Sequence, residues 1–300
     1  MQTIGVLGLG RMGLPVARRL ADSGWRVLGH DPDPERLAAA TQHGIEPAES
    51  ARAVAAASDL LVTVLPGPQE LREALLGPKG VGRDLSPGSC WLDLTSNDPR
   101  VADEVAASLA SRGVDSVAAP MGGGPTAAWA GTLRFTVGGA EAAVERVLPI
   151  LRLLGDPDGV TRAGETVGSA HVTKLMSNAL WFGQVVAVTE MLLLGQSLGL
   201  TVAGMRDALA AGPGSSRFIA EHLDSLLAGD DLTTFNLSRV VEELDTLDSL
   251  AQEHGLTLDL HTLVGRLHRD ALAHFGPVDG ELMAARLLEA RAGRTVRLPG

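Results

Sequence analysis

Short apolar runs alternate with helical patterns along the first half of the chain. The runs have the length of buried strands, and the segments between them repeat apolar residues at helical spacing. Alternation of this kind predicts βαβ units, a mostly parallel sheet and an α/β fold class. The predicted strands are Thr3–Leu7, Arg26–Gly29, Leu60–Leu65, Cys90–Leu94, Ser116–Ala119, Leu133–Gly138 and Gly159–Arg162. The predicted helices between them are Arg11–Ser23, Pro34–His43, Glu49–Ala57, Gln69–Leu76, Pro99–Arg112 and Ala140–Leu153.

No strand pattern recurs after about residue 163. Helical periodicity continues instead, and the helices predicted there are Ser169–Leu198, Val202–Ala211, Ser216–Leu227, Leu237–Glu253, Thr262–Ala273 and Gly280–Ala292. We therefore predict a doubly wound domain over 1–163, an all-helical domain over 164–292 and a loose tail over 293–300.

The helix that begins at the interdomain boundary is long, roughly 30 residues or about 45 Å. Its middle is apolar on all sides, as in the run Leu192–Leu194, and such a helix must be covered all round. Burial against a second copy, in a homodimer or homotetramer, is favoured over burial as the central helix of a monomeric bundle. Gln184, Glu190 and Gln196 within it indicate a buried helix and not a membrane span.

Composition and charge narrow the class of protein. An apolar fraction of 45% and a charged fraction of 20% in 300 residues are typical of a soluble globular protein. The net charge of −11 argues against nucleic acid and anionic membranes as partners. A single cysteine, Cys90, excludes an internal disulfide framework and favours a reducing compartment. The N-terminus enters a strand directly, so we expect no secretory signal and a cytoplasmic protein.

Three glycines break the apolar run near the N-terminus. They stand in G-x-G-x-x-G spacing between a predicted strand and a predicted helix, in the segment Gly8-Leu9-Gly10-Arg11-Met12-Gly13. The glycines let the backbone approach a pyrophosphate, and the free N–H groups of the helix start attract the anion. The segment predicts a Rossmann-type dinucleotide site. The alternative is a tight strand-to-helix turn that binds nothing.

Asp31 lies at the end of the next predicted strand, eighteen positions after Gly13. A carboxylate there accepts hydrogen bonds from a ribose and repels a 2′-phosphate, so NAD is predicted over NADP. The preference would reverse if Asp31 turned away and Arg36 reached the site.

Lys174 and Asn178 lie four positions apart on the long helix and therefore share a face. Desolvation lowers the pKa of an amine, so a lysine in a closed site can exchange protons near neutrality. Asn178 could hold a substrate oxygen or the ammonium, and His171, one turn before Lys174, could line the same cleft. Spacing alone favours a solvated lysine with an incidental asparagine, because such pairs are common.

The run Gly122-Gly123-Gly124 follows a predicted strand. Its N–H groups are unscreened by side chains, which makes it a candidate anion cradle. A flexible turn or a close crossing of chains explains the run equally well.

Five segments, in order, resemble motifs of the β-hydroxyacid dehydrogenase family, typified by 3-hydroxyisobutyrate dehydrogenase, with 6-phosphogluconate dehydrogenase as a distant relative. They are Gly8–Gly13, Leu65-Pro66, Asp93–Ser96, Ala119–Gly124 with the following Gly131–Leu133, and Gly168–Asn178. The likeness covers nearly the whole chain.

The resemblance implies oxidation of a small alcohol beside an acid group, or the reverse reduction, with NAD(P). Lys174 would take the hydroxyl proton as hydride leaves, and Asn178 would position the same oxygen. The cofactor would be bound by the glycine segment, Asp31, Leu65, Pro66 and Thr95, with Thr95 beside the nicotinamide. The substrate would be bound by Gly122, Gly123, Gly124 and His171.

Two positions depart from the family pattern. Gly122 stands where the family usually has a serine on the substrate carboxylate, and Glu242 stands where a helix usually carries a lysine. With Glu242 at the substrate, the departures imply a larger, neutral or amine-bearing alcohol. The alternative is that Glu242 points to solvent or pairs with Arg239 at i+3 spacing.

Two other functions compete with a dehydrogenase. An imine reductase shares this architecture and opening motif, but such enzymes usually lack the lysine at position 174. A cofactor-binding protein without turnover is the other alternative, and the complete Lys174/Asn178 pair argues against it. The eight histidines are scattered, without paired cysteines or an H-E-x-x-H motif, so we expect no metal.

Overall fold

The computed structural model describes residues 3–298. The first two residues of the predicted first domain and the last two of the predicted tail, 299 and 300, lie outside the described residues. The chain divides into two compact units, 1–174 and 175–300, so the division falls eleven residues after the predicted boundary at 163 and inside a helix.

The first unit alternates strands and helices. Its strands are Thr3–Leu7 (β1), Arg26–His30 (β2), Glu46–Pro47 (β3), Leu60–Thr63 (β4), Cys90–Asp93 (β5), Asp115–Ala118 (β6), Met121–Gly122 (β7), Leu133–Gly139 (β8) and Gly155–Gly164 (β9). Its helices are Gly13–Asp22 (α1), Pro34–Thr41 (α2), Ala51–Ala57 (α3), Pro68–Leu76 (α4), Pro99–Ala110 (α5), Gly124–Ala130 (α6) and Glu141–Leu154 (α7), with a 3₁₀ turn at Val81–Asp84. The helix Val167–Ser197 (α8) begins in this unit and ends in the second.

The strands form one mixed sheet in the order β3-β2-β1-β4-β5-β6-β8-β7, with β9 beside β8. From β3 to β6 all neighbours are parallel, and β8 runs antiparallel to both β6 and β7. The strand order reverses between β1 and β4, which is where doubly wound sheets bind ligands, at the carboxyl ends of the strands. The predicted α/β class and Rossmann-type sheet are confirmed.

Alternate residues of the strands feed two separate apolar cores, one on each face of the sheet. Ile4 and Val6 of β1 point to one face, together with helices α1 and α7. Leu7 of β1 and Trp91 of β5 point to the other face, together with α4 and α5. Because helices cover both faces, the strands read as continuous apolar runs and not as alternating patterns.

The second unit is helical. Besides the end of α8, its helices are Val202–Ala211 (α9), Arg217–Ala228 (α10), Leu237–Glu253 (α11), Asp259–Phe275 (α12) and Met283–Ala292 (α13). Within residues 3–298, α8 is the one helix whose length and apolar composition would allow it to cross a membrane. The buried core helix of a soluble protein can have the same length and composition.

Three short elements were not predicted, because they carry little periodicity. β3 and β7 have two residues each, and α6 begins inside the glycine run, with Pro125 in its first turn. A proline is well placed at a helix start because its missing N–H would be unpaired there.

The loose tail predicted after residue 292 is wrong for the described residues 293–298. Val296 is fully buried in an apolar cluster of the second unit, and its N–H donates to Glu289 at 2.8 Å. Arg297 pairs with the same carboxylate, and the N–H of Leu298 donates to the carbonyl of Leu227. One apolar side chain and one buried acid hold the segment, a pattern too short to show as periodicity.

Candidate active site

The glycine segment makes a turn in which two glycines are sterically required. A Cβ on Gly13 would lie 1.9 Å from the carbonyl oxygen of Gly8, and a Cβ on Gly8, whose φ is +92°, would lie 2.2 Å from the carbonyl oxygen of Val64. Gly10 differs, because a Cβ there would meet the Arg36 guanidinium at an ordinary 3.5 Å. Gly8 and Gly13 therefore shape the turn, and Gly10 leaves space above it.

That space faces the start of α1. The helix has no side-chain cap and no acidic residue in its first turn, so its N–H groups and positive dipole end suit an anion. Leu9 is buried in the core beneath the turn, Met12 is half-buried and Arg11 is exposed. The turn fits the pyrophosphate of a dinucleotide.

Asp31 stands directly after β2 with its carboxylate turned towards the glycine turn. It accepts hydrogen bonds from the N–H of Leu9 at 2.8 Å and the N–H of Asp33 at 3.0 Å, and its side chain is 2% exposed. Arg36 is half-exposed and lies 3.5 Å from Asp31 and 3.4 Å from Asp33. The structure thus brings the acid and the arginine together beside Gly10.

The next two strands end at the same edge of the sheet. After β4, Leu65 is half-buried and Pro66 is exposed; after β5, Thr95 is buried. The N–H of Leu65 donates to the Thr95 hydroxyl at 3.1 Å, which joins the two predicted cofactor segments.

Lys174 and Asn178 are both half-buried on α8, one turn apart. The Asn178 amide nitrogen donates to Glu243 at 2.7 Å, and Glu243 is 7% exposed. An ionised carboxylate only accepts hydrogen bonds, so it holds the nitrogen of the amide towards Glu243 and turns the amide oxygen away from it. The chain holds only two lysines, Lys79 and Lys174, among 25 basic residues, so a lysine at 174 stands out where arginine is otherwise used.

The glycine run lies beyond β6, with Gly122 in β7. Gly123 and Gly124 have positive φ values of +109° and +66°, which side chains rarely adopt. Gly122 has an ordinary backbone, and a Cβ there would lie 3.6 Å from the carbonyl oxygen of Arg134. A side chain is therefore tolerated at Gly122 and strained at Gly123 and Gly124.

The other two predicted substrate residues are His171 and Glu242. The structure buries the first and pairs the second with an arginine. His171 is fully buried, 3.4 Å from the carboxylate of Asp93. Glu242 forms an ion pair with Arg239, the alternative given by their i+3 spacing. The residue that contacts Asn178 is Glu243, next to Glu242 in the chain. It was not predicted from the sequence. Its position three residues after the apolar Val240, on the same face of the helix, indicates that it is buried.

Among the described residues, no group of three His, Cys, Asp or Glu side chains could hold a metal ion.

Comparisons with known proteins bear on this geometry. Residues 3–168 match the model of the NAD binding domain of 6-phosphogluconate dehydrogenase, and residues 168–288 match the NAD-binding domain of NADP-dependent 3-hydroxyisobutyrate dehydrogenase. The chain is 32% identical to 2-(hydroxymethyl)glutarate dehydrogenase of Eubacterium barkeri over 228 residues, which are 76% of this chain and 75% of that protein. The chain belongs to the β-hydroxyacid dehydrogenase family. As such it is an NAD(P)-dependent oxidoreductase that acts on CH–OH groups.

Solved structures agree with membership of the β-hydroxyacid dehydrogenases. The 3-hydroxyisobutyrate dehydrogenase of Mycobacterium tuberculosis, solved with L-serine, has a TM-score of 0.87 and 26% identity, covering 96% of this chain and 99% of that one. An imine reductase from Myxococcus stipitatus has a TM-score of 0.64 and 21% identity, covering 95% of this chain and 99% of that one, a likeness in fold alone.

Proposed function

We propose that Lys174 is the general acid and base of a reaction that interconverts a 3-hydroxyacid-like alcohol and its carbonyl. The observation that carries the proposal is the Lys174/Asn178 pair, one turn apart on α8, in a chain with only one other lysine. Arginine keeps its proton at all accessible pH values, whereas a lysine amine can release a proton and take one up.

In the oxidation direction, the nicotinamide supplies the hydride acceptor when it is bound. The C–H bond of the alcohol carbon breaks with its electron pair, the O–H proton passes to the Lys174 amine, and the C=O bond forms. Asn178 turns its amide oxygen away from Glu243, so it accepts a hydrogen bond from the substrate hydroxyl or the Lys174 ammonium. Positioning of this kind supplies much of the rate.

Lys174→Arg tests the proposal, because it keeps the charge and removes the base. We expect kcat to fall by roughly 10²–10⁴-fold while the Kd for NADH, read from its fluorescence, changes less than twofold. Lys174→Ala should regain activity when methylamine is added. A cofactor-binding protein without turnover would show no activity to lose, and unchanged kcat in Lys174→Arg would refute the role.

The missing hydroxyl at Gly122 supports an alcohol that is larger than a four-carbon hydroxy acid or lacks its carboxylate. Glu242 no longer supports an amine-bearing substrate, because Arg239 neutralises it. The Eubacterium barkeri relative is named for 2-(hydroxymethyl)glutarate, a larger hydroxymethyl acid. A panel of that compound, 3-hydroxyisobutyrate, L-serine, glycerate, neutral alcohols and a cyclic imine tests the class. If 3-hydroxyisobutyrate, L-serine and glycerate are turned over better than every larger or neutral alcohol, the proposed substrate class is wrong.

NAD is the proposed cofactor, with NADP the weaker one. Asp31 and Asp33 together place two negative charges against the single positive charge of Arg36, so a 2′-phosphate meets a net negative group. The kcat/KM ratio for NAD over NADP should exceed one and should fall in Asp31→Asn. A ratio below one in the wild type would reverse the assignment.

A homodimer or homotetramer in the cytoplasm completes the proposal, with a small molecule and neither nucleic acid nor a membrane as partner. Large apolar side chains of α8 are exposed in the single chain, including Leu180 at 70% and Leu194 at 51%, and a second copy would cover them. Light scattering of the purified protein tests this, and a monomer at micromolar concentration would refute it.

A further inference from the structure

A buried carboxylate joins the ends of two strands at the proposed nicotinamide end of the sheet. Asp93, the last residue of β5, is fully buried. It accepts hydrogen bonds from the Thr63 hydroxyl at 2.9 Å, the Thr95 N–H at 3.0 Å and the Asn97 amide at 3.2 Å. The Thr63 hydroxyl in turn accepts from the indole N–H of Trp91 at 2.9 Å. A buried carboxylate needs hydrogen-bond donors, and residues at or near the ends of the two strands supply three of them.

His171 brings the first part of α8 to the same carboxylate. Its Nε2 lies 3.4 Å from the second oxygen of Asp93, and the ring is fully buried. This approach is a close polar contact that falls short of hydrogen-bond geometry. Neither ring nitrogen has a hydrogen-bond partner among residues 3–298. The Asp93 carboxylate is therefore the polar group placed to orient the ring.

The network connects the two halves of the proposed chemistry. Thr95, two residues after Asp93, holds the N–H of Leu65 and so shapes the cofactor segments. Lys174 lies three residues after His171, which is less than one turn of α8. One carboxylate thus contacts both the strand end expected beside the nicotinamide and the helix turn that carries the proposed base.

We propose that Asp93 and His171 are a positioning pair that sets the place of the Lys174 amine relative to the end of β5. This inference rests on the proposed function for the meaning of Lys174, and on geometry alone for the pair itself. Neither residue touches substrate in this role. A misplacement of about 1 Å at a reacting group costs on the order of a hundredfold in rate, so a small shift of the α8 turn is measurable.

The test compares His171→Leu, which removes the nitrogen that faces Asp93, with His171→Gln, which keeps a polar N–H group at the end of the side chain. The leucine variant should fold, because Asp93 retains three hydrogen bonds and the first turn of α8 already contributes Val167 and Ala170 to an apolar core. Melting temperatures of both variants check this.

Two readouts separate the pair from the proposed function. The first is kcat and KM with NAD and with 3-hydroxyisobutyrate or 2-(hydroxymethyl)glutarate. The second needs no turnover: trinitrobenzenesulfonate labelling of the NAD-saturated protein, with the modified fraction of Lys174 measured by peptide mass spectrometry against the exposed Lys79 as internal reference.

We expect His171→Leu to lower kcat at least tenfold, to leave the KM for NAD within twofold, and to change the Lys174/Lys79 labelling ratio at least threefold. His171→Gln should stay within threefold of wild type in both readouts. Unchanged labelling and kcat in His171→Leu overturn the pair, as does a glutamine variant as impaired as the leucine one. If the wild type oxidises neither alcohol but the labelling ratio shifts and glutamine restores it, the pair stands and the proposed function fails.

Discussion

Replacing Gly122 by serine is the sharpest test of how this enzyme differs from its relatives. The resemblance to the family places Gly122 where a serine hydroxyl is expected on the substrate carboxylate. The backbone at Gly122 is ordinary, and a Cβ there would keep 3.6 Å from the carbonyl oxygen of Arg134. The substitution therefore adds a hydroxyl without displacing its neighbours.

The expected gain follows from one hydrogen bond. A bond between a hydroxyl and a charged carboxylate contributes about 1.5–3 kcal/mol, which corresponds to a rise of roughly 10- to 150-fold in kcat/KM. We expect that rise for 3-hydroxyisobutyrate and glycerate and no rise for neutral alcohols, measured by NADH formation.

Gly123→Ser is the matched control. Its backbone has a φ of +109°, and a Cβ would lie 2.6 Å from that of Ala127, so it should lower activity on every substrate. If Gly122→Ser folds, as shown by its melting temperature, but raises activity on the two acids less than threefold, the missing hydroxyl does not limit carboxylate binding and the substrate argument fails.

Three further predictions concern other parts of the chain. Burial lowers the pKa of His268 to about 4 from 6.5. The unfolded chain therefore takes up the proton first as pH falls from 6.5 towards 4, and the folded state should lose about 2 kcal/mol by pH 5 from this group. Urea unfolding of His268→Phe should lack that loss, whereas the exposed His254→Gln should keep it; equal pH profiles for wild type and His268→Phe would contradict the assignment. Glu243→Gln should lower kcat about tenfold and leave the Kd for NADH unchanged, because a charge-assisted hydrogen bond contributes about 1.5–3 kcal/mol. The control Glu242→Gln should stay within twofold of the wild-type kcat. A larger loss in Glu242→Gln than in Glu243→Gln would show that Glu242 is the residue that matters for activity. Gly13→Ala should weaken NAD binding at least tenfold in a fluorescence titration, because the added methyl overlaps a backbone carbonyl of the turn, and wild-type affinity would show that the turn can relax.

The α/β class, the order of the main strands and helices and the position of the glycine turn could all be predicted from the sequence. Each of these is encoded locally. Strands buried on both faces appear as apolar runs, helices as repeats of 3.6 residues, and the turn as glycines at positions where a Cβ would meet backbone. The strands β3 and β7 were not predicted, because two residues are too few to show a repeating pattern of apolar positions.

Which polar groups come into contact depends on how the chain folds and could not be predicted from the sequence. Glu242 and Glu243 are adjacent and identical in chemistry, yet one pairs with Arg239 and the other holds Asn178. Asp93 and His171 are seventy-eight positions apart in the chain and come together only when α8 packs against the end of β5. A local pattern indicates which face of a helix or strand a residue occupies. The partner that it meets on that face is often far away in the sequence, and no local repeat contains that information.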